Sequence, residues 1–132
     1  MCIVTWFVSG RDFDVDGFLN RFPTLECEDS WHRGDEGLLR KVLEDSGFSL
    51  TLFDGKNPKG AVQAVRSALD QMRDVHAALA ELGVRSRLRF GLFVGAKESF
   101  VPTLSLAVED LEFFARLGVA VEVLGYPVSD KD

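Results

Sequence analysis

Chemistry in a small domain needs acids, bases and nucleophiles brought together, and this chain gathers its candidates near the start. Asp12-Phe13-Asp14-Val15-Asp16-Gly17 imitates the opening of a calcium-binding EF-hand loop, with acids at the first, third and fifth positions and glycine at the sixth. The twelfth position, where such a loop places a bidentate glutamate, is Pro23, and bulky Phe13 and Val15 stand where polar residues are usual. A hard cation would have too few oxygen ligands. Neither a metal nor another cofactor is expected, and the acids fit better as the cap and first-turn charges of a short helix.

A second grouping, Cys27, Asp29, His32 and Asp35, mixes a nucleophile, a base and an orienting acid. No glycine-rich elbow surrounds it, and the chain's two cysteines and two histidines show no paired zinc-ligand spacing. It reads as a surface loop with one buried thiol. No catalytic residue is assigned, and the protein is not expected to be an enzyme. His76 borders an apolar helical stripe and reads as a core-edge residue. Gly10, Gly91 and Gly95 belong to no phosphate loop, because the chain lacks Gly-x-x-x-x-Gly-Lys. Arg85, Arg87 and Arg89 share one strand face with Phe93 further along. They can hold an anion or an acidic partner, or form the solvated side of a sheet and pair with local acids.

Charge narrows the partners. Of the net −6, residues 1 to 36 account for −5: eight acids (Asp12, Asp14, Asp16, Glu26, Glu28, Asp29, Asp35, Glu36) against three arginines. Phosphate backbones and anionic membranes repel such a surface, so nucleic acid and membrane are poor partners and a basic protein is a better one. The same acids also serve solubility. No apolar run reaches the roughly 18 residues of a membrane span, and Cys2 to Val8 has neither a basic flank nor a cleavage site. Two cysteines without a recognisable spacing suit a reducing compartment, so a cytoplasmic location is expected.

Those side chains need elements to hold them. The chain is organised around residues 58 to 83, where Val62, Val65, Leu69, Met72, Val75, Leu79 and Leu82 recur with a helical period. Asn57 is the expected cap, Pro58 the first helical residue and Gly83 the stop. Residues 2 to 9 are β-branched and aromatic on both faces, as in a strand near the middle of a sheet. A short helix with Val15, Phe18, Leu19 and Phe22 follows. Residues 24 to 32 are a candidate strand, and Leu38 to Leu43 fits a helical turn or a strand equally poorly. Strands are expected over 48 to 53, 86 to 94 and 119 to 124, a loop over 95 to 102, and a helix over 105 to 117.

This order of elements follows the split βαβ plan, so the expected fold is one α+β domain over residues 1 to 132, with ferredoxin-like βαβ units. Its sheet is largely antiparallel, with helices on one face. Its hydrophobic content of 46% can supply the core. On the uncovered face, Phe53 and Phe93 with Arg87 and Arg89 form a second candidate interface, for a partner or for a homodimer.

Several features together resemble a bacterial family catalogued as domain of unknown function 4279. They are the opening strand with Gly10 and Asp12-Phe13-Asp14, Pro23-Thr24, Trp31 followed by Gly34-Asp35, the central helix, and Leu117-Gly118 before a final strand. The resemblance spans nearly the whole chain and transfers no catalytic residue. It implies an immunity protein of a toxin system. The leading expectation is a non-catalytic binding protein that blocks a basic toxin domain through its acidic surface. The alternative is a small-molecule-binding regulatory domain of the same fold, with its ligand at a sheet edge or dimer interface.

Overall fold

The structure is a computed structural model that describes residues 1 to 95 and 101 to 128. The expected loop over 95 to 102 lies partly outside these. Strand β1 (Cys2–Gly10) alternates strictly: Cys2, Val4, Trp6 and Val8 are sealed from solvent, while Ile3, Thr5 and Phe7 are partly open. It lies at the centre of a five-stranded open sheet of order β2-β3-β1-β4-β5, with β2 (Asp29–Trp31), β3 (Ser46–Gly55), β4 (Arg85–Val94) and β5 (Val119–Pro127). All neighbours are antiparallel except β4 and β5, which run parallel. The connection between those two carries a helix, as a parallel crossover requires. The domain is therefore α+β, with a mostly antiparallel sheet.

Helices cover the face that Val4 and Trp6 present. Helix α1 (Val15–Arg21) sends Phe18 onto Phe48 of β3, and Phe48 also meets Trp6 edge-on. The expected single helix over 58 to 83 is two: α2 (Ala61–Asp70) and α3 (Arg73–Leu82). Between them the backbone tightens, Met72 N–H donating to the Leu69 carbonyl three residues back, and the Asp70–Arg73 ion pair straddles the turn. Both halves keep the stripe, burying Val65 and Leu69 on one and Val75 and Leu79 on the other. The start also differs. Asn57 Oδ1 accepts from Lys59 N–H, which makes a local turn, and α2 begins after Gly60, whose φ of 85° suits only glycine. Helix α4 (Val108–Arg116) starts three residues later than expected and buries Phe114 in the same layer.

Two further expectations change. The candidate strand over 24 to 32 shrinks to the three residues of β2. In β3, Val4 pairs with Phe53 but Thr5 pairs with Thr51, so Leu52 is the extra residue of a bulge. That shift turns Phe53 to the helix-covered side, where it packs against the core. Phe53 is thus removed from the uncovered face.

Candidate functional site

Cross-links between α1 and the segment after β2 gather Asp12, Asp16 and Asp35 around His32 and Arg33. Asp14 caps its own helix, its Oδ1 accepting from Gly17 N–H at 3.1 Å, and any side chain at Gly17 would collide with that carboxylate. Asp12 meets Arg33 at 3.3 Å, and Asp16 Oδ2 lies 2.8 Å from His32 Nε2. Asp35 accepts from the His32 backbone N–H at 2.8 Å and stands 3.5 Å from Nδ1 of the same ring. His32 is therefore held between two carboxylates, and the Asp16 hydrogen bond is the main cause that raises its pKa. The three acids of the EF-hand-like run turn to three different partners and do not converge.

Glu28 binds Thr51 twice, accepting from its N–H at 3.1 Å and its hydroxyl at 2.9 Å, and so clips the edge of β2 to β3. Glu26, Asp29 and Glu36 are exposed and make no side-chain hydrogen bond or ion pair among the described residues. They are the three of the eight acids that stay unengaged among the described residues. Cys27 is half-buried against the core, and among the described residues no hydrogen bond joins it to His32.

Beside these acids projects a hairpin that no helix or strand period revealed. Leu43 N–H donates to Asp35, Gly37 N–H donates to Lys41, and Glu36 bridges Val42. Its tip is a tight turn over Leu38–Arg40, with Leu39 at φ 57° and Arg40 at φ 58°. Leu38 is 91% exposed and Leu39 90%. A left-handed backbone costs a branched residue about 1 to 2 kcal/mol, and two solvated leucines forgo burial as well. The signal in the sequence is indirect: Leu38, Leu39 and Val42 fit neither period because none of them faces the core.

The uncovered sheet face is more self-contained than the acidic side. The guanidiniums of Arg87 and Arg89 lie over the Phe7 ring, 5.2 and 4.8 Å from its centroid. Glu122 on β5 accepts from Arg89 Nε at 2.7 Å and stands 3.9 Å from Arg87, and the Arg89 bond chiefly lowers the Glu122 pKa. Phe93 stacks on Tyr126 at 5.4 Å. Local pairing thus answers part of the arginine charge, and Arg87, Arg89 and Phe93 share this face without Phe53.

No helix among the described residues is long and apolar enough to cross a membrane. Comparison of the chain with protein-family models, with curated proteins and with solved structures found no match in any of the three.

Proposed function

We propose that this domain is a binding protein without catalysis, which docks its acidic side and the Leu38–Leu39 tip on a basic protein. The observation that carries the reading is the tip itself: two leucines held in solvent, one on a left-handed backbone, with Glu36, a carboxylate without a partner among the described residues, in the same hairpin. Backbone strain and exposed apolar groups persist where a function uses them. In this division of labour the acids speed encounter with a basic surface, while leucines inserted in an apolar pocket slow departure. Blocking a toxin's basic active site is the biological form of this reading, in keeping with the family resemblance. The order β2-β3-β1-β4 with helices on one face supports a ferredoxin-like unit, to which α4 and β5 add a parallel strand. The test is to recover the native partner and compare its binding to variants of the tip and of the free acids.

A further inference from the structure

The helix layer holds a cleft whose lining includes none of the eight N-terminal acids. Helices α2 and α3 on one flank and α4 on the other leave a space of about 500 Å³, lined by Leu69, Arg73, His76, Phe113, Arg116 and Leu117. A smaller space of about 280 Å³ continues from it to Ser86 on the sheet. His76 and Arg116 border both. The larger volume falls within the range of small-molecule sites, about 300 to 1,000 Å³.

His76 is the unusual wall of this cleft. It is 8% exposed, and its Nε2 has no hydrogen-bond partner among the described residues. Leaving a buried polar atom unpaired is costly, so a retained one calls for a reason. The ring lies 5.3 Å from Trp6, and the nearby Leu69 carbonyl favours an N–H on it. With Nε2 unpaired, that N–H belongs at Nδ1, which leaves Nε2 of the neutral ring as an acceptor. Burial lowers the His76 pKa and so favours the neutral form. The neighbouring donor is already used, since Trp6 Nε1–H donates to Ser86 Oγ at 2.7 Å. At the mouth, Arg73 is bound to Asp70, whereas Arg116 is exposed and makes no ion pair among the described residues.

We infer that the cleft between α3 and α4 binds a small carboxylic acid that also carries a hydroxyl or N–H donor. The donor pairs with His76 Nε2, the carboxylate with Arg116, and the apolar body lies on Phe113 and Leu117. This site is independent of the docking reading and goes beyond it, because it lies between α3 and α4 and uses neither the eight N-terminal acids nor the leucine tip.

The test uses the full chain and three probes: 4-hydroxyphenylacetate, phenylacetate without the donor, and 4-methylphenol without the carboxylate. Calorimetry gives affinity, and the ¹⁵N resonance of His76 Nε2 reports the new hydrogen bond. 4-Hydroxyphenylacetate should bind saturably and shift that resonance, and each truncated probe should bind about tenfold more weakly. Arg116→Ala, a surface change, should weaken the complete probe about tenfold, and His76→Leu should abolish the preference for the hydroxyl. No saturable shift of His76 up to about 10 mM would mean a solvent-filled cleft and would overturn the inference. Equal affinity for all three probes, or a hydroxyl preference that survives His76→Leu, would overturn it too.

Discussion

Asp16 Oδ2 and His32 Nε2 meet at 2.8 Å although both side chains are largely solvated, and their contact ties the first turn of α1 to the segment that leads into the leucine hairpin. Since Asp16, and with it Asp35, raises the His32 pKa above 6.5, the folded chain holds this proton more tightly than the unfolded one. The stabilisation is then fully present below the unfolded value, about 6.5, and is lost as pH rises through the folded value. An NMR titration of the His32 ring should give a midpoint above that of an unfolded control, and Asp16→Asn should lower it. A wild-type midpoint no higher than the control would contradict the Asp16–His32 contact.

His76 responds with the opposite sign. Desolvation lowers its pKa, so the unfolded chain takes up a proton that the folded one resists. Its contribution is whole above about pH 6.5 and declines as pH falls below that value. Urea midpoints measured between pH 5 and 8 should therefore fall on the acid side less steeply in His76→Leu than in wild type. Parallel profiles would show that His76 is not buried neutral.

Leu69 is sealed from solvent where α2 meets the sheet. Leu69→Ala should cost about 2 to 5 kcal/mol, the range for buried leucine truncations. An unchanged denaturant midpoint would mean that the α2 stripe does not form the core.

Leu39 separates stability from function. Glycine adopts φ near 57° without strain, so Leu39→Gly should leave thermal stability unchanged or raise it by up to about 1 kcal/mol. The same change should weaken partner binding. A variant that melts earlier would argue that the tip supports the fold.

Local periodicity carries much of this fold. The alternation of β1 and the spacing of Val62, Val65, Leu69, Val75 and Leu79 each place a buried face by themselves. What escapes the sequence depends on register or on distant contacts. Neither glycine nor proline marks the break at Gln71–Met72, and the apolar stripe runs unbroken across it. Alternation cannot show that Leu52 is one residue too many, so it puts Phe53 on the wrong face. His76 is legible as a core-edge residue, but its unpaired Nε2 depends on what α2 and α4 place around it.

The acids show the same division. Their concentration before residue 37 is plain in the chain, yet which of them are engaged is not. Asp14 caps α1, Glu28 holds Thr51 and Asp35 holds the His32 backbone, each through a hydrogen bond. Glu26, Asp29 and Glu36 are therefore the better positions at which to reverse charge.

The most direct measurement is the binding kinetics of the native partner, recovered from the host, against three variants at low and high salt. Replacing Glu26, Asp29 and Glu36 by lysine should slow association about tenfold or more at low salt, with the difference shrinking as salt rises. Replacing Leu38 and Leu39 by serine should chiefly speed dissociation and cost about 2 kcal/mol or more. Lys56→Glu with Lys59→Glu, in the turn before α2, should change neither rate appreciably. If the acid and leucine variants both bind the partner at low salt with wild-type rates, the acids are only solubilising charge and the docking account is wrong.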